Sequence, residues 1–276
     1  MAIIQAKKQL NQDTYALDIK SPLIAKKAQA GQFIILRIDE YGERIPLTIN
    51  DCLDENIRIV FQTVGKTTMK LANLQVGDEI LDVVGPLGRP TELTGDNIAI
   101  VVGGLGCAIG YLSAKQCYNQ RKKVDIIAGF RTKELIILAK EMQKVCDNLY
   151  ICTDDGSYGY PGFVSNQLQS LLTEKNYDLI ITIGPLLMMK AVSQVTKEQG
   201  VKTLASMNPI MMDGSGMCGC CRLTCDGQMK FACVDGPDFD AAKVDFDELI
   251  IRNNFYRPQE QNAKDHYCRL LQERQG

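Results

Sequence analysis

Along the first third of the chain, short apolar runs alternate with clusters of turn residues. Residues 33–36, 57–64 and 79–84 are apolar runs of strand length. They are broken by Gly31, by Tyr41 with Gly42, by Asp54 with Glu55 and Asn56, by Gly77 with Asp78, and by Gly85 with Pro86. Short strands at that spacing predict a small antiparallel β barrel over residues 1–94, although another β domain would show the same pattern. From residue 97 the pattern changes. NIAIVVGG, KVDIIAGF, NLYICT and YDLIITIGP are nearly continuous apolar runs, and helix-length stretches at 108–121, 133–145, 163–172 and 188–199 stand between them. Strands apolar on both faces, alternating with helices, predict a parallel α/β sheet over residues 95–205. Residues 206–276 open on a cysteine cluster and close on a charged helical tail at 259–275, either a solvated terminus or a partner contact. The predicted fold class is therefore β barrel plus α/β, with a C-terminal unit small enough to gain from a metal staple.

Composition narrows the function classes. The chain has 276 residues, 45% hydrophobic and 23% charged, which excludes a disordered polypeptide. A formal net charge of -2 gives no general electrostatic reason to expect nucleic acid. No apolar run approaches the ~18 residues of a transmembrane helix. The opening MAIIQAKKQL lacks the charged-then-apolar order of a secretion signal. A cytoplasmic protein without membrane contact is the expectation. Its eleven cysteines are an odd number, and Cys218, Cys220, Cys221, Cys225 and Cys233 fall within sixteen residues. In a reducing compartment such a cluster points to metal before disulfides.

Four motifs carry candidate chemistry. VVGGLG, residues 101–106, sets glycines at a strand-to-helix junction, where backbone can approach a phosphate. Gly104 and Gly106 fit the dinucleotide fingerprint, but its third glycine is Gly110, one residue late, so a plain tight βα turn fits as well. VGKTT, residues 64–68, suggests a phosphate loop, yet Val60 stands where the P-loop needs its first glycine. A backbone cradle for a pyrophosphate and an ordinary hairpin turn remain open. GERIPLTIND, residues 42–51, brings Arg44, Pro46 and Thr48 together: a charge for phosphate, a rigid turn and a hydroxyl for a ring nitrogen. A strand edge with a surface arginine is the alternative. The most specific motif is Asp213 followed by Cys218, Cys221 and Cys233, spaced D-x4-C-x2-C-x11-C. Plant-type 2Fe–2S sites use C-x4-C-x2-C and a distant cysteine, so aspartate occupies the first slot here. A carboxylate is a harder ligand than thiolate and alters the cluster's potential. A zinc knuckle, or no metal, are the alternatives, and Cys220 competes with Cys221 for a place.

The order of these motifs carries a resemblance. RIPLTI, VGKTT, DVVGPLG, the VVGGLG turn, TDDGSYG, GPLLMM and DGSGMCGCCR with FACVDGPDFDAAKVDFDEL resemble the ferredoxin–NADP reductase superfamily. Within it the chain is similar to dihydroorotate dehydrogenase electron-transfer subunits and their relatives. Those relatives include the small subunits of NADH-dependent ferredoxin:NADP oxidoreductases, also called sulfide dehydrogenases. The similarity spans nearly the whole chain.

The resemblance implies FAD in the barrel, NAD(H) in the α/β domain and a 2Fe–2S cluster in the C-terminal domain. In the superfamily an R-x-Y-S strand sets arginine on the pyrophosphate, an aromatic on the flavin and a hydroxyl near its reactive nitrogen. Leu47 and Thr48 align with the last two positions; Ile45 stands at the arginine position and Arg44 one place earlier. Phe61, Gln62, Gly65, Lys66, Thr67 and Thr68 match the strand and loop that hold the FAD diphosphate and ribityl chain. Gly103, Gly104 and Gly106 match the pyrophosphate turn of the nicotinamide cofactor, Gly184 and Pro185 the turn beside the nicotinamide, and Arg131 and Asp155 its adenosine side. Arg131 leaves NADP(H) open beside NAD(H). No catalytic acid, base or cysteine is expected, because hydride transfer requires distance and orientation. The implied reaction passes electrons between NAD(H), FAD and the cluster to a larger flavin and iron–sulfur subunit in a heterodimer. It belongs to NADH, ferredoxin and NADP exchange with electron bifurcation, and ferredoxin is reached indirectly. The alternatives are the electron-transfer subunit of dihydroorotate dehydrogenase, whose relatives carry four cysteines at the cluster, and a zinc-stabilised binding module without catalysis.

Overall fold

The structure is a computed structural model, and it describes residues 1–273. The first unit contains β1 (Ala2–Gln9), β2 (Thr14–Lys20), α1 (Pro22–Lys27), β3 (Phe33–Arg37), β4 (Ile45–Leu53), β5 (Asn56–Gln62), α2 (Lys66–Asn73), β6 (Glu79–Ile80) and β7 (Asp82–Leu87). Its sheet runs β6-β1-β2-β5-β4-β3-β7, every pair antiparallel. The two edges, β6 and β7, are consecutive in the chain with only Leu81 between them. One covalent step thus joins the sheet's opposite edges, which rolls it into a barrel. Alternate residues fill the interior: Leu17 and Ile19, Ile34 and Leu36, Ile57, Ile59 and Phe61 are all fully buried. Gly85 and Pro86 lie inside β7 rather than ending it. β7 has only β3 as neighbour, so the missing proline N–H leaves no ladder bond unmade.

The second sheet is built from β8 (Asn97–Gly103), β9 (Lys123–Phe130), β10 (Asn148–Thr153), β11 (Tyr160–Pro161), β12 (Leu179–Ile183), β13 (Thr203–Ser206) and β16 (Asp238–Asp240). Its order is β11-β10-β9-β8-β12-β13-β16. All pairs are parallel except the edge pair β13 with β16. Helices α3 (Gly106–Asn119), α4 (Ala139–Met142), α5 (Val164–Glu174) and α6 (Leu186–Glu198) connect the strands. The chain winds from β8 out to β11, then returns to place β12 on the other side of β8. The crevice between the carboxyl ends of β8 and β12 is the switch point at which open α/β sheets bind ligands.

The helix expected over 133–145 shrinks to a 3-10 turn, Lys133–Leu135, and the single turn of α4. Leu138 sits in the left-handed region at φ 55 and breaks the helix. The break lets Ile137 drop into the core beneath the sheet.

The third segment holds the hairpin β14 (Arg222–Cys225) with β15 (Gln228–Phe231), then β16, α7 (Phe246–Asn254) and α8 (Arg257–Glu273). The expected tail helix is α8, and Arg274 and Gln275 lie outside the described residues. This segment gives its strand β16 to the α/β sheet and shares one apolar cluster with both other units. Phe33 and Ile35 of the barrel pack there with Met189, Met207, Cys221, Cys233 and Phe239. Among the described residues no helix is long and apolar enough to cross a membrane.

Candidate functional site

Three features meet around the barrel: a turn opening onto a helix, a glycine crevice and a cysteine loop. The turn is VGKTT. It is not a hairpin turn, because Gly65 precedes the first residue of α2. Thr68 closes that end: its Oγ1 accepts from Gly65 N at 3.1 Å and donates to Gly65 O at 3.0 Å. A side chain at 65 would meet nothing within 4 Å, so the backbone stands open to a ligand. α2 has no acid in its first turn, so its N-terminus favours an anion. The loop leading into β4 is tied to the same helix. Thr67 Oγ1 donates to Glu43 at 2.6 Å, and Lys70 pairs with Asp39. That hydrogen bond from Lys70 holds the Asp39 carboxyl below the usual carboxylate range.

Beside the turn, Pro46, Leu47 and Thr48 lie half-buried on β4, while Arg44 is exposed in the preceding loop. Phe61 is in the barrel core, stacked on Tyr15 with ring centroids 6.1 Å apart. Its ring faces away from any ligand on the barrel's outside, and only its backbone is available there. Gln62 and Lys66 flank the turn, half-buried and exposed respectively.

The glycine crevice lies at the switch point. A Cβ on Gly106 would collide with Ile183 O, and one on Gly103 would sit 2.5 Å from Met188 Sδ. One on Gly184 would sit 2.8 Å from Met188 Cε. These glycines are required because the β8–α3 and β12–α6 turns touch. α3 and α6, the latter preceded by Pro185, start without a side-chain cap and without an acid in the first turn. The two helix starts border one crevice, an arrangement suited to a pyrophosphate, while the Cys107 and Ala108 N–H groups turn back onto Gly104 O and Leu105 O at 3.2 and 2.9 Å. The Gly104 N–H is already used, donating to Gly129 O at 2.8 Å.

Arg131 and Asp155 lie exposed at the carboxyl ends of β9 and β10, linked by Asp155 N donating to Arg131 O at 3.3 Å. The Ser157 hydroxyl and N–H hold the Asp155 carboxyl below its ordinary range. Sequence reasoning missed the groups that dock this crevice on the barrel. Asn50 Nδ2 donates to Ala108 O at 2.7 Å, and Lys115 Nζ meets Asp51 at 2.7 and 2.9 Å. Asn50 shares the outer face of β4 with Thr48, two residues away. The signal available was the pair of polar residues that ends RIPLTIND.

The cysteine loop packs on the barrel. A Cβ on Gly214, at φ +72, would sit 2.8 Å from Leu87 and 3.0 Å from Ile35. Gly216, at φ +82, packs on Val234. Asp213 accepts from Ser215 N at 2.9 Å. That bond, with further help from the Cys218 side chain, keeps its carboxyl below the usual range. Cys221 and Cys233 are buried; burial first, then the neighbouring Cys221, pushes the Cys233 thiol up to about 12. Asp213 and the exposed Cys218 thus lie on the loop that leads to the buried pair. Among the described residues no three His, Cys, Asp or Glu side chains close on one point as around a single ion. Soft thiolates and one carboxylate on a glycine-rich loop are donors that fit an iron–sulfur group. Cys220 is half-exposed and its carbonyl accepts from Arg252 at 3.3 Å, so Cys221 rather than Cys220 occupies the buried position.

Comparison with known proteins agrees with this geometry. Residues 208–245 match the iron–sulfur cluster binding domain of dihydroorotate dehydrogenase B. The chain is 42% identical over 273 residues to a Thermotoga maritima protein named as a homologue of the dihydroorotate dehydrogenase B (NAD(+)) electron transfer subunit, covering 98% of this chain and 96% of that one. It superposes with TM-score 0.91 and 41% identity on a chain of the NADH-dependent reduced ferredoxin–NADP oxidoreductase, a structure described for flavin-based electron bifurcation. That match covers 97% of this chain and 98% of the other. A ferredoxin reductase of carbazole 1,9a-dioxygenase shares the fold at TM-score 0.63 and 18% identity, over 72% of this chain and 65% of its own.

Proposed function

The chain belongs to the family of dihydroorotate dehydrogenase B electron-transfer subunits, and we propose that within it this chain is the small subunit of an NADH-dependent ferredoxin:NADP oxidoreductase. It is an oxidoreductase subunit that passes electrons among NAD(H), FAD and a 2Fe–2S cluster. The observation that carries the reading is full-length superposition on the solved oxidoreductase chain, with a crevice and a cysteine loop packed on the same barrel. A flavin held by the barrel would supply exchange between the two-electron nicotinamide couple and the one-electron cluster.

The chain's own residues bind and orient. The barrel, residues 1–94, holds FAD: Gly65, Lys66, Thr67 and Thr68 receive its diphosphate at the start of α2, with Gln62 and the Phe61 backbone beside them. Pro46, Leu47 and the Thr48 hydroxyl face its ring, and Arg44 reaches the phosphate side. The α/β unit, residues 95–205, holds NAD(H). Gly103, Gly104 and Gly106 admit the pyrophosphate, Gly184 and Pro185 border the nicotinamide, and Arg131 and Asp155 face the adenosine. The third unit, residues 206–276, holds the cluster through Asp213, Cys218, Cys221 and Cys233. No side chain exchanges a proton in this scheme. The partner is a larger flavin and iron–sulfur subunit in a cytoplasmic heterodimer, through which ferredoxin is reached and bifurcation occurs.

Anaerobic mixing of the full chain with NADH tests this. Flavin bleaching should be followed by the electron paramagnetic resonance signal of a reduced 2Fe–2S cluster. The Asp213→Cys variant should keep that signal with altered g values and potential. No cluster signal after flavin bleaching would refute the electron path, and an unchanged signal in the variant would remove Asp213 from the ligand set.

A further inference from the structure

Beyond the turn at residues 65–68, the surface continues into a groove of about 470 Å³ that no part of the site above uses. One wall is Val64, the residue before Gly65, 64% exposed despite its apolar side chain. The other is α8, through Arg257, Pro258, Glu260, Gln261 and Lys264. Positions 257, 260, 261 and 264 fall on one face of a helix. A surface helix ordinarily turns its apolar stripe toward the body. Here the face lining the groove beside the barrel carries two cations, a carboxylate and an amide. α8 touches α2, so this face is held next to the helix start that offers its N–H groups to an anion.

We propose that this groove receives the adenosine half of FAD and that α8 is a clamp on the cofactor. The inference rests on the flavin reading of the barrel and deepens it. The chemistry of the lining suits a nucleoside attached to a diphosphate. Val64 and Pro258 supply apolar surface for a purine, and a guanidinium such as that of Arg257 stacks on aromatic faces. Glu260 accepts from ribose hydroxyls or an exocyclic amine, and Gln261 both donates and accepts. The ammonium of Lys264 attracts phosphate oxygens. The volume lies in the range of small-molecule sites. The diphosphate at Gly65 sits where the groove begins, so the isoalloxazine runs toward Thr48 on β4 and the adenosine runs the opposite way, toward α8.

The test compares FAD with FMN, which has the same ring, ribityl chain and first phosphate but no adenosine. Both are titrated by flavin fluorescence into the full-length chain stripped of flavin, as parent, as the double variant Arg257→Glu with Lys264→Glu, and as Val64→Glu. Retention of the cluster signal verifies folding. The parent should prefer FAD by about tenfold or more, and each variant should lose about tenfold in FAD affinity and distinctly less in FMN affinity. Equal losses for FAD and FMN, or undiminished FAD affinity, would overturn the clamp. A parent that binds both flavins equally would leave the flavin reading standing and refute this inference alone. A parent that binds neither would remove both.

Discussion

At the carboxyl end of the parallel sheet, α3 and α6 begin uncapped, and their turns are closed by glycines in contact with one another. At the amino end the polar groups are filled by the protein itself. Asp125 is buried and accepts from Lys175 at 2.6 Å, Tyr177 at 2.7 Å and Asn148 at 2.7 Å. Asp178 accepts from the backbone N–H groups of Asp96 and Asn97, and Asp147 from that of Val124. The same sheet therefore presents two helix starts without side-chain caps at one end and saturates its acceptors at the other. Unused N–H groups cost stability unless water or a ligand meets them. The carboxyl end is built for a guest and the amino end for the fold. Substitutions at the amino end should lower stability alone, whereas those at the carboxyl end should reach ligand binding as well.

The largest effect is expected at Gly106. Gly106→Ala drives a methyl into Ile183 O, which should cost ~3 kcal/mol in urea unfolding and abolish NADH-driven flavin bleaching. Gly104 is the control: its φ is +53 but nothing lies within 4 Å of a Cβ there. Gly104→Ala should cost only ~1 kcal/mol of backbone strain. Equal losses at the two positions would break the packing account of this end.

Asp125→Ala comes next and should affect stability alone. It leaves Lys175 and Tyr177 without their acceptor and should lower stability by ~2–3 kcal/mol, with the rate of NADH-driven flavin bleaching at 20–25 °C unchanged. Burial raises the Asp125 pKa, but hydrogen bonds from Lys175, Asn148 and Tyr177 outweigh it, and the net direction is downward. A depressed folded pKa contributes stability that is present above the unfolded value of ~3.9 and is lost as pH falls through the folded value. Melting temperature should therefore fall more steeply below about pH 4 in the parent than in Asp125→Asn. A parallel pH course for the two proteins would contradict the assignment.

The smallest of the three effects concerns the join between barrel and crevice. Asn50→Leu removes the bond to Ala108 O while keeping bulk. It should slow flavin reduction by NADH about tenfold, the equivalent of ~1.4 kcal/mol, and leave the cluster's resonance signal unchanged. An unaltered reduction rate would show that the glycine turns alone fix the geometry.

How much of this was readable in the chain depended on the kind of contact involved. The barrel strands and the βα alternation follow from period-two burial and unbroken apolar runs such as 98–104, because sheets bury side chains by those rules. The cysteine loop was readable because ligand spacing is local. The helix lost at 133–145 was not, since Leu138 gives way to a core position for Ile137 that only the folded sheet creates. The return of β16 to the edge of the second sheet is equally nonlocal: three residues, Asp238–Asp240, carry no strand signal of their own. Asn50 and Lys115 matter through partners 58 and 64 residues away, which no spacing rule reveals. Phe61 was sorted with a ligand loop by its neighbours, whereas alternation along β5 turns it inward. The groove beside α8 joins Val64 to residues nearly 200 positions later, and the charged pattern of the tail alone did not distinguish a clamp from a solvated terminus.

The central claim, a chain that holds both a flavin and an iron–sulfur cluster, is tested most directly by the visible spectrum of anaerobically purified full-length protein. Flavin, iron, sulfide and zinc should be quantified on the same sample. The account predicts about one flavin with about two irons and about two sulfides per chain. Colourless protein that carries zinc, and that takes up neither flavin nor cluster on reconstitution, would contradict it.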